Sequence, residues 1–226
     1  RSFNCRPLSS SERATMVKAG RVHVYARVRP PSSKEAKDGL VVRADAAENA
    51  VVVDDRNERA PRSFKVDGVF GPESSQDAVF EAVGQPILDG VLEGYNGAIL
   101  AYGQTGSGKT HTLLNPGETV RESGVVPRVA AALFFAIGQD LAHVYTVRVS
   151  FVQIYNEQID DLLKPAGANS NLKLKGAAGG GGGGGGAGGP SGAVEIEGAT
   201  SVTVSSAAAL MQLFNNGRKN LVYAET

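Results

Sequence analysis

A glycine-rich segment in the middle of the chain has the residue types and the spacing of a phosphate-binding loop. It fits the pattern G-x-x-x-x-G-K-[ST] at every fixed position, with the residues Gly103, Gln104, Thr105, Gly106, Ser107, Gly108, Lys109 and Thr110. In such a loop, successive backbone N–H groups point inward and form a concave anion site. We expect Lys109 to reach the β- and γ-phosphates of a nucleotide and the Thr110 hydroxyl to bind a phosphate-bound Mg²⁺.

The residues on either side of this loop predict the strand and the helix that a phosphate loop connects. The apolar run from Ala98 to Tyr102 predicts a short strand buried on both faces. Thr110 to Leu114 can form a first helical turn, which Asn115-Pro116-Gly117 would end. This context disfavours an ordinary turn with a solvated lysine. A dinucleotide-binding loop is disfavoured because the third glycine of its pattern is missing.

Composition limits the classes of protein to which the chain can belong. Its 226 residues are enough for one sizeable core, and its net charge of zero indicates no strong attraction to nucleic acid or to a membrane surface. No apolar run reaches the length of about 18 residues that a membrane span needs. Cys5 is the only cysteine, so an internal disulfide is impossible, which is typical of a reducing intracellular compartment.

Hydrophobic patterning predicts an α/β fold. Alternation from Val22 to Val28 predicts a strand ended by Pro30-Pro31, with Arg27 and Arg29 on the face opposite the valines. The run from Tyr145 to Tyr155 predicts one long strand. Helical stripes lie between the predicted strands, and with a buried strand before the phosphate loop they favour a central sheet flanked by helices.

The domain organisation follows from two stretches that cannot form a core. Residues 1–19 are polar and aperiodic, which predicts a disordered leader. Residues 176–192 contain an unbroken glycine run, which predicts a flexible surface insertion, because ordering such a run costs too much conformational entropy. We therefore expect one partial domain at 20–226 that carries this insertion between two of its strands.

The motifs, taken in order, resemble those of a kinesin motor domain. The resemblance lies in short segments spread from residue 21 to residue 226. These are Arg27-Val28-Arg29-Pro30, Phe64 to Phe70, Gly94-Tyr95-Asn96-Gly97 through Thr112, Gly124 to Arg128, Ile154-Tyr155-Asn156-Glu157 and Asp161-Leu162-Leu163. The segments from Ser63 to Val69 and from Tyr223 to Thr226 look most like the cilium-associated kinesin-nine group, with the armadillo-repeat kinesins as the second choice.

The resemblance implies a nucleotide site with a base pocket beside the phosphate loop. In kinesins the R-x-R-P segment and the residue after the loop threonine line the adenine pocket, and here these positions hold Arg27, Arg29, Pro30 and His111. Stacking of a guanidinium group or a proline ring on a purine is physically reasonable. Without the resemblance, solvated charges on an edge strand would be the simpler interpretation of the two arginines.

The resemblance also implies the activity, the cofactor and the partner. It implies the P-loop NTPase type of kinesin fold, truncated on its C-terminal side, with ATP as substrate, Mg²⁺ as cofactor and microtubules as partner. It implies a place in the cytoplasm on the cytoskeleton, and for the kinesin-nine group the cilium or flagellar axoneme. Neither the N-x-x-S-S-R-S-H segment nor the D-L-A-G-S-E segment of kinesins occurs in the 226 residues. We therefore expect no catalytic residue within this stretch and no productive hydrolysis by it alone.

Two other functions fit parts of the sequence. A degenerate, non-motile kinesin that holds nucleotide or tubulin without turnover would keep the same phosphate loop. An unrelated GTPase would need a guanine-reading N-K-x-D segment, and the sequence contains none. The oligomeric state has no signal in these residues.

Overall fold

The computed structural model describes residues 21–54, 60–115, 122–165, 171–175 and 195–221. The predicted leader at 1–19 and the predicted insertion at 176–192 lie outside the described residues. The chain divides into two compact units, residues 1–133 and residues 134–226, each with its own short strands and helices.

In the part of the first unit that the structure describes there are five strands, together with the helices before and after the phosphate loop. In chain order its elements are β1 (Tyr25–Arg27), α1 (Ser33–Asp38), β2 (Val42–Asp45), β3 (Ala50–Val53), β4 (Arg62–Lys65), β5 (Gly68–Phe70), α2 (Gln76–Val79), a π-helical turn (Phe80–Gly84), α3 (Gln85–Leu92) and α4 (Lys109–Leu114). Helix α5 (Val125–Gln139) follows and extends past residue 133.

Two small sheets form in the first unit. Strand β1 pairs with β5 in parallel, with Ala26 opposite Val69. Strands β2, β3 and β4 form an antiparallel meander in which β3 is central, and its alternate residues Ala50 and Val52 are buried. The meander therefore shows the alternation expected of a sheet with one face packed and the other in solvent.

The helical segment from Gln76 to Leu92 runs through the π-helical turn without a break. Ser75 is its N-cap residue, and the Ser75 hydroxyl accepts a hydrogen bond from the backbone N–H of Ala78. Pro86 lies in the first turn of α3, where a missing N–H is tolerated, so it does not interrupt the segment. Val79, Phe80 and Leu88 are buried along it.

In the described residues, the second unit is built from antiparallel strand pairs and, after α5, one further helix. After α5 its elements are β6 (Val147–Val149), β7 (Val152–Tyr155), β8 (Gln158–Asp161), β9 (Lys173–Lys175), β10 (Glu195–Glu197), β11 (Val202–Val204) and α6 (Ala207–Arg218). The pairs β7–β8, β9–β10 and β6–β11 are all antiparallel. Together with the parallel pair of the first unit they make a mixed α/β architecture, as the sequence predicts.

One hairpin of the second unit depends on a tight turn. Asn156 and Glu157, which connect β7 to β8, have φ of 48° and 61°. Both residues thus adopt the left-handed conformation that a two-residue turn needs to match the twist of its strands. Behind the hairpin, the rings of Phe151 and Phe214 stack with their centroids 4.8 Å apart.

Three predictions about elements are wrong or need revision. The run from Ala98 to Tyr102 is not a strand, and Leu100 and Tyr102 are 90% and 96% exposed. A strand forms only where neighbouring strands accept its hydrogen bonds, and no strand in the described ranges pairs with this run. The predicted strand from Val22 is shortened to β1, and Val22 is exposed. The predicted strand from Tyr145 to Tyr155 is divided into β6 and β7.

No helix in the described ranges has both the length and the apolar composition that crossing a bilayer requires.

Candidate functional site

The phosphate loop folds as the motif predicts and leads directly into α4. Gly108 is the N-cap residue of this helix, with φ of 98°. This left-handed conformation is costly for any residue with a Cβ, so a glycine is required at the junction. The helix runs from Lys109 to Leu114 with Asn115 as its C-cap residue, so it begins one residue before the predicted turn from Thr110 to Leu114. Lys109 and Thr110 thus lie in the first turn, where the motif requires them.

The loop also depends on the absence of a side chain at Gly103. A Cβ atom at this position would lie 2.5 Å from the Ser107 hydroxyl oxygen. The backbone therefore closes tightly on itself, and Ser107 donates its N–H to the Gln104 carbonyl at 3.2 Å. This close packing is possible only because residue 103 has no side chain.

Lys109 is held by the loop to which it belongs. Its ammonium group donates hydrogen bonds to the carbonyl oxygens of Gly103 at 2.7 Å and Gln104 at 2.9 Å. A phosphate group is a stronger acceptor than a neutral carbonyl because it carries charge. The ammonium is therefore placed where a bound phosphate can compete for it.

A cavity of about 650 Å³ lies beside the loop, within the first unit. This volume falls within the usual range for small-molecule sites, which is about 300–1,000 Å³. The lining residues come from four segments of the unit, and they are Arg27, Val28, Arg29, Pro30, Pro72, Ser74, Ser75, Gln76, Ser107, Gly108, His111, Thr112, Asn115 and Glu122. All four residues that the sequence assigns to an adenine pocket, Arg27, Arg29, Pro30 and His111, are among them.

The eight residues assigned to the phosphate site are divided with respect to this cavity. Ser107 and Gly108 line it, whereas Gly103, Gln104, Thr105, Gly106, Lys109 and Thr110 do not. The loop thus forms one end of the cavity and extends beyond it. This arrangement matches a ligand whose charged group lies on the loop while its remainder occupies the cavity.

Arg27 is engaged by protein groups on three sides. One terminal nitrogen, Nη1, donates to Gln76 Oε1 at 2.9 Å and to Thr112 Oγ1 at 3.0 Å, and the other donates to the Ser74 carbonyl at 3.3 Å. Burial lowers the pKa of Arg27. Because these bonds join β1 to the start of α2 and to α4, Arg27 organises the cavity wall.

Gln76 is a functional candidate that the sequence pattern does not reveal. Its side chain is buried, and its amide Nε2 donates to the His111 carbonyl at 2.8 Å while its Oε1 accepts from Arg27. A buried amide without partners would be costly, so these bonds fix its orientation. Gln76 therefore links the two segments that carry the predicted base-binding residues.

Arg29 lies at the rim of the cavity and is paired with Glu35 of α1. Its Nη1 donates to Glu35 Oε2 at 2.9 Å and also to the Pro30 carbonyl at 2.9 Å, and its Nη2 donates to Glu35 Oε1. The side chains are 40% and 48% exposed, so the pair is in contact with solvent. Arg29 thus differs from Arg27, which is enclosed by the wall.

The side chains fit a magnesium ion that is held mainly by phosphate. Within the described ranges no group of three or more His, Cys, Asp or Glu residues could hold a metal ion. Mg²⁺ bound with a nucleotide needs few protein ligands, because phosphate oxygens and water fill most of its coordination sphere. The Thr110 hydroxyl, in the first turn of α4, is the protein ligand that the loop pattern offers.

Comparisons with known proteins agree with this geometry. The kinesin motor domain family matches residues 27–226. Kinesin-like protein klp-20 of Caenorhabditis elegans is 36% identical over 207 residues, which are 89% of this chain and 30% of that protein. Human kinesin-like protein KIF9 is 44% identical over 107 residues, which are 47% of this chain and 13% of that protein.

A solved structure has the same fold. The structure of a fast kinesin superposes with a TM-score of 0.75 and 32% sequence identity, and the match covers 88% of this chain and 52% of that one. The chain thus spans about half the length of that motor structure and under a third of klp-20. The α/β prediction and the predicted fold type are confirmed. Because the family match extends over nearly all of the sequence, the chain belongs to the kinesin motor domain family.

Proposed function

We propose that the chain is the ATP-binding part of a kinesin that uses ATP hydrolysis to move along microtubules. The observation that supports this most directly is the phosphate loop at one end of a 650 Å³ cavity lined by Arg29, Pro30 and His111. Loop and cavity together suit a nucleoside triphosphate, with its phosphates on the loop and its base in the cavity.

Each part of the site has a role in this proposal. Backbone N–H groups of residues 103–110 bind the phosphates, and Lys109 exchanges its two carbonyl partners for phosphate oxygens. Thr110 would hold Mg²⁺ together with the phosphates, and the ion would supply positive charge to offset theirs. Pro30 and His111 contact the adenine, while Arg27 and Gln76 keep the wall in place.

Titration with a fluorescent ATP analogue tests the nucleotide site. Lys109→Ala should abolish measurable binding, because the ammonium is the charge that the loop provides for the β- and γ-phosphates. Lys65→Ala is the matched control, since Lys65 is exposed and pairs with Glu48 away from the cavity. Unchanged affinity in Lys109→Ala would contradict the site assignment.

We further propose that these 226 residues alone hold nucleotide without productive turnover. The two segments with which kinesins sense the γ-phosphate do not occur in the sequence. Phosphate release should therefore be the same with and without microtubules, while nucleotide binding persists. A clear stimulation of phosphate release by microtubules would overturn this proposal. It would also exclude a degenerate kinesin that holds nucleotide without turnover.

The subgroup is proposed from sequence likeness. Identity to human KIF9 is 44% over 107 residues, against 36% over 207 residues for klp-20. This supports the kinesin-nine group, and with it a place on the ciliary or flagellar axoneme. Imaging of the tagged full gene product in ciliated cells tests the location, and a signal restricted to cytoplasmic microtubules would refute it.

A further inference from the structure

The helix α1 begins with a cap whose glutamate also binds Arg29, a residue that lines the cavity. Ser32 is its N-cap residue, and the Ser32 hydroxyl accepts from the backbone N–H of Glu35 at 3.3 Å. In return, the Glu35 carboxylate accepts from the backbone N–H of Ser32 at 2.7 Å. This reciprocal pair is a capping box, which satisfies two N–H groups at the start of the helix.

The same carboxylate binds the guanidinium of Arg29 with both of its oxygens. Oε2 accepts from Arg29 Nη1 at 2.9 Å, and Oε1 accepts from Nη2. The Pro30 carbonyl accepts a further bond from Nη1 at 2.9 Å. A two-pronged contact of this kind fixes the plane of a guanidinium group, whereas a single contact would leave it free to rotate.

The position of this pair is important because Arg29 and Pro30 line the cavity and Glu35 does not. We propose that Glu35 is a positioning residue for the nucleotide base: it holds the Arg29 guanidinium at the cavity rim so that a purine ring can lie against it. This inference rests on the proposed function, and it assigns to α1 a role in base binding.

Charge and exposure support a role in binding over a role in stability. The hydrogen bond from Arg29 lowers the pKa of Glu35 to about 2, so the carboxylate remains charged at every pH at which the protein is handled. Both side chains are largely exposed, and exposed ion pairs contribute little to the free energy of unfolding. Five hydrogen bonds nevertheless fix this arrangement at an exposed rim. The position of the Arg29 guanidinium at the cavity explains these bonds better than a contribution to stability does.

Glu35→Gln separates the two roles of the carboxylate. Glutamine serves as well as glutamate at this position of a capping box, so the contact with Ser32 can persist. Its neutral amide offers one acceptor oxygen and an NH₂ group, so it cannot receive both prongs of Arg29. Ser32→Ala is the complementary variant, because it removes a cap bond and leaves the carboxylate intact.

The experiment measures the binding of a fluorescent ATP analogue and, by competition, of inorganic tripolyphosphate. Glu35→Gln should weaken the ATP analogue by about two- to fivefold, the range expected for losing a cation–π contact at an exposed site. Binding of tripolyphosphate should be unchanged, because it has no base. Ser32→Ala should bind both as wild type does, and Glu35→Gln should have no further effect in an Arg29→Ala background.

Specific results would overturn the inference. Equal weakening of ATP analogue and tripolyphosphate would show a general electrostatic effect, and unchanged affinity for the analogue would show that Arg29 needs no support. An effect that persists in the Arg29→Ala background would also refute it. A different result would refute the proposed function itself, namely that Lys109→Ala binds tripolyphosphate as tightly as wild type does. Thermal unfolding midpoints within about 3 °C of wild type confirm that each variant is folded.

Discussion

Gly124 is a position at which a single methyl group should disturb the nucleotide site from outside it. It lies just before α5 and donates its N–H to the Asn115 carbonyl at 2.8 Å, at the end of α4. A Cβ atom at Gly124 would lie 2.6 Å from the carbonyl carbon and oxygen of Leu113 and 2.7 Å from the N of Leu114. This is about 1 Å inside ordinary van der Waals contact. All three atoms are backbone atoms of α4, so a side-chain rotation cannot relieve the clash.

The magnitude follows from two terms. Overpacking at a site that cannot adjust costs about 1–3 kcal/mol, and loss of the bond to the Asn115 carbonyl adds about 1 kcal/mol. Gly124→Ala should therefore lower the free energy of unfolding by about 2–4 kcal/mol. It should also weaken nucleotide binding, because the displaced helix carries Lys109 in its first turn.

Gly90→Ala is the matched control, since Gly90 lies inside α3 and a Cβ there would meet nothing within 4 Å. Removing a glycine from a helix should stabilise the protein by about 0.5–1 kcal/mol. Because 1 kcal/mol shifts the midpoint by about 2–4 °C for a chain of this size, the two variants should differ by roughly 10 °C in thermal unfolding. Equal midpoints, or unchanged ATP affinity in Gly124→Ala, would refute the reasoning.

Two further predictions concern buried charges. Asp77→Ala removes the carboxylate that binds the guanidinium of Arg128, whose side chain is 2% exposed. We expect the free energy of unfolding, measured in urea, to fall by about 2 kcal/mol. This is less than for a fully buried pair, because water reaches the Asp77 side chain. A loss under 0.5 kcal/mol would contradict this. Asp161 titrates with a lowered pKa: burial acts to raise it, but hydrogen bonds from Thr200 and Leu163 and the charge of Lys164 outweigh burial. Its contribution to stability is therefore fully present only above the pKa of an unfolded Asp, from about pH 5 upward, and is lost as the pH falls through the lowered folded pKa. Asp161→Asn should abolish this acid-dependent loss, and an unchanged pH profile of the unfolding midpoint would refute the assignment.

Local motifs account for the elements that the sequence predicts well. The bounds of α4, Lys109 and Leu114, follow from Gly108 before the helix and from the turn residues after Leu114. Either Ser205 or Ser206 could cap α6 by sequence, and the hydroxyl of Ser206 does so by accepting from the backbone N–H of Ala209. In each case the information lies within a few residues, because caps and tight turns are satisfied by their immediate neighbours.

Elements that depend on distant partners are predicted less well. The run from Ala98 to Tyr102 has the composition of a buried strand, but composition cannot provide the neighbouring strands that hydrogen-bond it. Ser74 and Ser75 both precede α2, and only the fold selects Ser75 as the cap residue. Gly217 lies inside α6 although glycine is common at helix ends, and a Cβ there would meet the Phe151 ring at 2.5 Å.

The proposed nucleotide site has one end that depends on local sequence and one end that depends on distant contacts. Its proposed phosphate end is one continuous segment, residues 103–110, which a sequence pattern alone is enough to propose. Its base end is assembled by contacts between residues far apart in the chain, such as Arg27 with Thr112 and Gln76 with His111. Affinity for a triphosphate and affinity for a base should therefore respond to different substitutions. Gln76 is buried and bonds to Arg27 rather than to the phosphate loop, so it belongs to the base end. Substitution of Gln76 should therefore change the preference for one nucleotide base over another more than it changes the affinity for phosphate.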